Sequence, residues 1–172
     1  MKTGRLFLQV LMVSGLCALM AGCGFTPLYG SGPAFARHEV QDALNSIAID
    51  NIPDRAGQYL RNRLIDRFHT AGTPSSPRYR LTLSPVEESQ TDLDITKTAD
   101  TTRAQLRLSS EAVLRDAASG AILLTRSLSA TTSYNILSSQ FTTRVSEDNA
   151  RLNALDDLAR QAELQMVLYF RR

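Results

Sequence analysis

The sequence predicts an α+β domain in β-α-β-β-β-α order: a two-layer sandwich with two helices packed on one face of a four-stranded mixed sheet. Three observations predict it. Two stretches, one towards each end of the domain, space apolar residues three and four apart, as amphipathic helices do. Between them, apolar and polar residues alternate in runs typical of half-buried strands. A turn of small residues, Asp116-Ala-Ala-Ser-Gly120, joins the last two runs as a hairpin.

The first strand covers 46–52, where isoleucines alternate with small or polar residues. Pro53 closes it, and Asp54 is placed to cap the helix that follows. Over 55–70, Ala56, Leu60, Leu64 and Phe68 recur four apart, with Tyr59 and Ile65 beside them. Arg61, Arg63 and Arg67 lie mainly off that stripe. Gly72 ends the helix, His69 lies near the negative end of its dipole, and Pro74 bars continuation. The second strand, 78–84, puts Tyr79, Leu81 and Leu83 on one face. Residues 87–102 read as a polar connection, with Glu87, Glu88, Asp92 and Asp94 as a solvated acidic loop. Alternation resumes over 103–114, with Ala104, Leu106 and Leu108 on one face, and again over 122–134 beyond the hairpin. The last helix spans 147–172: Ser146 is its expected N-cap, and Glu147 and Asp148 suit its first turn. Leu155, Leu158, Ala159, Ala162, Met166 and Tyr169 form its apolar stripe, and Asp156 and Arg160 are expected to pair on its outer side.

Upstream of the domain, Lys2 and Arg5 precede an apolar run from 6 to 20, interrupted only by Gln9 and Ser14 among polar residues. Ala21 and Gly22 follow. This is the pattern of a secretory signal peptide, too short for a comfortable membrane span. Its end, Met20-Ala21-Gly22-Cys23, resembles the bacterial lipobox. That resemblance implies an S-diacylglyceryl group and an N-acyl chain of the palmitate type on Cys23, with cleavage before it. A thiolate is the nucleophile such chemistry needs. The chain then divides into a removed signal, 1–22, a lipidated tether, 23–45, and one domain, 46–172. The tether's start is extended, with Pro27, Pro33 and two glycines within 25–36.

Removing the signal changes the charge balance. Of 19 basic residues two leave, so 17 face 17 acidic ones. A neutral chain does not fit a nucleic-acid binder. Lys97 is the one lysine beyond the signal, so arginine supplies nearly all positive charge. No catalytic set emerges. His38 and His69 lack metal-ligand spacing, no glycine-rich phosphate loop is present, and Ser109, Ser110, Ser138 and Ser139 have no histidine motif nearby. The reading is a non-enzyme without cofactor or metal.

Several segments together resemble the LptE family of lipopolysaccharide-assembly lipoproteins: Cys23-Gly-Phe-Thr-Pro-Leu-Tyr-Gly30, Ile52-Pro-Asp-Arg-Ala-Gly-Gln-Tyr-Leu60, Thr102-Arg-Ala-Gln-Leu106, Ser133-Tyr-Asn135 and Ala150-Arg-Leu-Asn-Ala-Leu-Asp-Asp-Leu158. The resemblance implies an outer-membrane lipoprotein on the periplasmic side. It would act as plug and assembly partner of the β-barrel LptD, with lipopolysaccharide arriving from a periplasmic bridge. Lys97, Arg103 and Arg107 are the candidate lipopolysaccharide contacts, since arginine forks suit phosphates. The same residues also fit a solvated strand face or a contact with the barrel wall. Without the resemblance, two other classes fit the residues: an outer-membrane lipoprotein binding another envelope protein, and an accessory factor of an envelope hydrolase.

Cys23→Ala is expected to leave an unprocessed, lipid-free precursor, because no thiol remains to be modified. Intact mass checks this; a cleaved, acylated product from the variant would refute the lipobox.

Overall fold

A computed structural model describes residues 34–70, 72–95 and 101–171. The expected signal peptide, Cys23, the first part of the tether and Lys97 lie outside the described residues. The elements are α1 (Ala34–Asn45), β1 (Ile47–Ile49), α2 (Asp54–Phe68), β2 (Tyr79–Leu83), β3 (Glu87–Ile95), β4 (Thr101–Asp116), β5 (Ile122–Asn135) and α3 (Gln140–Phe170).

The α+β class and the mixed sheet are as the sequence predicts, with one strand and one helix more among the described residues. β1 and β2 are parallel, linked through α2, as a parallel pair requires a crossover. β2, β3 and β5 all run antiparallel to β4. β2 and β3 lie along the same side of β4, so they form two halves of one bent strand. Leu83 faces Ala112 and Glu87 faces Ser109, four steps on the bent strand against three on β4. The extra residue is a bulge at Ser84-Pro85-Val86, where proline can give no ladder hydrogen bond. Ser84 holds the bend: its N–H donates to Glu111 O at 2.9 Å, its Oγ accepts from Glu111 N–H at 2.9 Å, and its carbonyl accepts from Ser110 Oγ at 2.9 Å. That explains Ser110, the one buried polar residue among those described.

The polar connection expected over 87–102 is therefore a strand in its first half. Its side chains give no apolar alternation because none of the described helices covers β3, whose residues 87–93 are all exposed. Backbone pairing to β4 makes the strand, and pairing is invisible to a hydropathy pattern. The end of the expected tether likewise forms α1, whose Ala43 and Leu44 are buried. Gln41 Nε2 donates to Phe68 O at 3.1 Å, and Thr70 N–H donates to Asn45 Oδ1 at 3.1 Å.

The core lies between the sheet and its helices. Leu81 and Leu83, then Ala104, Leu106, Leu108, Ala112 and Leu114, then Leu124, Leu128 and Ala130 line the sheet's inner face. Leu60, Leu64 and Phe68 of α2 and Leu155, Leu158, Ala159, Ala162 and Met166 of α3 close over them, as the two stripes predict. α3 begins at Gln140, not at 147. Its N-cap is Ser139, whose side chain accepts from Thr142 N–H at 3.5 Å, and Ser146 lies inside the helix. The added turns expose Phe141 (79 %) and Val145, so they contribute no buried stripe to betray a helix. Asp156 pairs with Arg63 at 2.9 Å across to α2, whereas Arg160 pairs with Asp157. The expected Asp156–Arg160 pair is absent because Asp156 faces the neighbouring helix. Arg67 and Glu163 add a second α2–α3 bridge at 2.8 Å.

Two details near α2 escape pattern reading. Asp54 starts the helix at φ 67 with no side-chain cap hydrogen bond, a left-handed conformation that Asp tolerates better than most residues. His69 makes a specific contact at the helix end. Its Nε2 donates to Ile47 O at 2.8 Å while Nδ1 is buried without a partner, so the ring pins α2 to β1.

Gly57 is buried, and a Cβ there would stand 2.6 Å from Ile52 Cγ2 and 3.0 Å from the Ile52 carbonyl carbon. Gly57→Ala should therefore destabilise by about 1–3 kcal/mol despite alanine's better helix propensity. Denaturant unfolding measures it; a stabilised variant would mean that Ile52 has room to move. Leu158→Asp should cost more, several kcal/mol in order of magnitude, by placing an unpaired carboxylate in the core. An unchanged melting temperature would refute the packing of α3 on the sheet.

Candidate functional site

The three described helices lie against the inner face, so none of them covers the outer face of β2–β5. Strand alternation decides what it displays. On β4, Arg103, Gln105, Arg107, Ser109, Glu111, Val113 and Arg115 alternate with the buried residues. On β5, Thr125, Ser127, Ser129, Thr131 and Ser133 do the same. The face is a field of hydroxyls and amides with a line of arginines along its longest strand.

Two sequence-predicted residues, Arg103 and Arg107, share this face and are exposed. Four residues apart on one strand, they stand roughly 13 Å from each other by strand rise. Arg103 Nη2 donates to Ser133 Oγ on β5 at 3.1 Å, which fixes its guanidinium against the sheet. Arg107 stands between Ser89 and Thr131 in register. Among the described residues it has no carboxylate partner, so its charge faces outward. Arg80, also on the outer side, is neutralised by Asp50 at 2.6 Å, and Thr82 Oγ1 holds the other Asp50 oxygen at 2.8 Å. The candidate site is thus Arg103 and Arg107 with the hydroxyl rows flanking them.

The acidic residues have another purpose. Glu88 lies on the inner side of β3, where both its oxygens accept from Arg151 of α3 at 2.8 Å. Arg151 also meets Glu147 at 2.6 Å and Asp148 at 2.8 Å. The hydrogen bond from Arg151 holds the Glu88 carboxyl below its ordinary value, against an opposing pull from burial. Hydrogen bonding to Glu88 raises the Arg151 guanidinium in turn. This clasp ties the uncovered strand β3 to the helix layer. Sequence reasoning missed it because its partners are 63 residues apart. Asp116 is likewise structural. Its carboxylate accepts from Ser119 N–H at 2.7 Å and from Ala118 N–H at 3.1 Å in the β4–β5 turn, and the Ser119 bonds hold it below the usual carboxylate range. Gly120 completes that turn at φ 72.

Among the described residues, no group of three or more His, Cys, Asp and Glu side chains could hold a metal ion, and no helix is long and apolar enough to cross a membrane. What the domain offers is surface.

Comparison with known proteins identifies the chain's family. The family model LptE, Lipopolysaccharide-assembly, matches residues 44–168. The chain belongs to the LptE family. It is thereby a lipoprotein of lipopolysaccharide assembly and not an enzyme. Solved structures agree in fold. A lipoprotein from Caulobacter crescentus CB15 superposes with a TM-score of 0.63 at 26% identity, covering 76% of this chain and 93% of that one. A minor lipoprotein from Acinetobacter baumannii gives 0.58 at 21% identity, covering 72% and 92%. The rare lipoprotein B from Shewanella oneidensis gives 0.51 at 13% identity, covering 72% and 96%. No curated protein matches. The LptE match begins at Leu44, in the last turn of α1, and ends near the C-terminus of α3, so the whole sheet lies within it.

Arg151→Met should lower the melting temperature at pH 7 by freeing β3 from α3. The clasp is also acid-sensitive. Because the folded Glu88 lies below its ordinary 4.5, its contribution is present above that value and is lost as pH falls through the folded one. Glu88→Gln should flatten that part of the acid dependence; identical melting curves for wild type and variant from pH 7 to pH 3 would refute the clasp.

Proposed function

We propose that this LptE-family chain is anchored at the outer membrane through an acylated Cys23, facing the periplasm. There it acts as plug and assembly partner of the β-barrel LptD, which receives lipopolysaccharide from the periplasmic bridge. The observation that carries the reading is the family match over residues 44–168. The physical features of the domain support it. A polar barrel lumen calls for a plug whose own core is closed and whose outer surface is hydrogen-bonding. The uncovered face, with its Ser, Thr, Gln and Arg side chains, has that character. The exposed Phe141, Val145 and Leu152 on α3 add an apolar patch of the sort a partner covers.

Direct lipopolysaccharide contact is assigned to Arg103 and Arg107, with Lys97 as a third candidate. Outward guanidinium groups on a rigid strand present two donor forks to phosphate without the entropy cost of ordering a loop. Acyl chains at Cys23 hold the domain at the membrane stably when two or more are present, at about 0.8 kcal/mol per buried methylene.

Depletion of the chain should leave LptD misassembled and lipopolysaccharide stalled short of the cell surface. Arg103→Glu with Arg107→Glu tests the finer assignment. Lipopolysaccharide binding should weaken while barrel association is kept, and the wild-type interaction should weaken with added salt. Lost barrel association with intact lipopolysaccharide binding would move the arginines to the protein interface. No change in either would remove them from the site.

A further inference from the structure

β5 is paired with β4 on one side and forms the sheet's other margin. Register fixes which of its backbone groups face that margin. The Glu111 carbonyl of β4 accepts from Ser84 N–H, so odd-numbered β4 residues turn their backbone towards the bent strand. Even-numbered ones turn towards β5. The residues opposite them, Leu124 to Tyr134 in even steps, complete those bonds. Thr125, Ser127, Ser129, Thr131 and Ser133 therefore point their N–H and C=O groups outward.

A side chain occupies the middle of this row. Gln161 of α3 accepts from Ser129 N–H through Oε1 at 3.3 Å and donates from Nε2 to Ser129 O at 3.0 Å. A primary amide in this pose offers the donor and acceptor that a residue of a neighbouring strand would offer. Four residues back, Arg126 Nη1 donates to the Thr125 carbonyl at 2.9 Å, while its Nε donates to Gln165 Oε1 at 3.1 Å. Arg126 shares its parity with Leu124 and Leu128, and its exposed position at this margin accounts for a charge on the apolar side of the strand.

We propose that the outer margin of β5 is a strand-pairing surface held closed by Gln161, and that its occupant once open is β5 of a second copy. Sequence complementarity selects that occupant. An antiparallel pair centred on Ser129 sets Ser127 against Thr131 and Thr125 against Ser133, hydroxyl on hydroxyl. It also sets Leu128 against Ala130 and Leu124 against Tyr134, apolar on apolar. The one charge over this span, Arg126, meets Thr132, so no like charges oppose. A 14-residue margin with a single charge otherwise lacks the lysines and prolines that keep exposed strands apart. Gln161 fills that role from the adjacent helix.

The test uses the full chain in detergent, with protein mass read by light scattering and backbone exchange by deuterium uptake. Wild type should stay at the mass of a single chain. Gln161→Ala should move towards twice that mass as concentration rises, and at low concentration its Ser129 amide should exchange roughly ten-fold faster. Adding Ser127→Lys and Thr131→Lys, which places lysines opposite each other across the two-fold, should return the mass to one chain. A Gln161→Ala protein at single-chain mass over the whole concentration range overturns the proposal, whatever its exchange rate. So does a doubled mass that survives the two lysines, because association would then not run through β5.

Discussion

Every strand except β1 is hydrogen-bonded to β4, and that single strand sets the two-sided character of the domain. Over its 16 residues, the even positions from Ala104 to Leu114 are buried and the odd ones are polar, apart from Val113. A one-residue slip would exchange the two sets, driving Arg103 and Arg107 into the core and the leucines into water. The register is therefore held by burial on one side alone. The helices need only supply stripes that match it. α2 and α3 do so with Leu60, Leu64, Phe68, Leu155, Leu158 and Met166, all fully or almost fully buried.

The bend in β4's partner is the consequence of that length. A strand of roughly 50 Å by its rise cannot stay flat, since sheets twist. β5 follows β4 along most of its course with one register shift near the hairpin. The opposite neighbour breaks at Pro85 instead. The Ser84–Ser110–Glu111 bonds satisfy the polar groups the break exposes, and they do so inside the layer, where an unmade bond costs most. Beyond the break, β3 has no helix above it, and its security comes from Arg151. A guanidinium shared among three carboxylates substitutes here for a hydrophobic contact. That is a weaker and more conditional attachment than burial.

What the sequence discloses follows from the same division. Elements with a buried stripe are legible: α2, the second half of α3, β2, β4 and β5 all fall within a few residues of their expected bounds, because alternation and four-residue spacing record burial. Elements without one are not. β3 reads as a loop since Glu88 and Asp92 occupy the positions that elsewhere hold leucine. The first turns of α3 are obscured because Phe141 and Val145 are exposed, and because Ser146 imitates a cap. The site is legible in one respect: strand parity places Arg103 and Arg107 on one face. Whether a carboxylate neutralises each of them depends on long-range pairing, which parity cannot report. Arg80 and Arg107 look alike in sequence, yet only Arg80 has its Asp50.

The distribution of charge follows the same division. From Cys23 onwards acids and bases balance, but the structure does not spread them evenly. Arg63, Arg67 and Arg151 are consumed at helix contacts and at the β3 clasp, together with Asp156, Glu163 and Glu88. Pairing in these places orders the layers and leaves no net field around them. The long strand then carries arginines on the one face that none of the described helices covers. A neutral chain can in this way hold a localised positive surface, with a rigid sheet behind it and hydroxyls on either side. Net charge alone predicts weak attraction to any polyanion; arginines without a carboxylate partner among the described residues give this one face its positive charge.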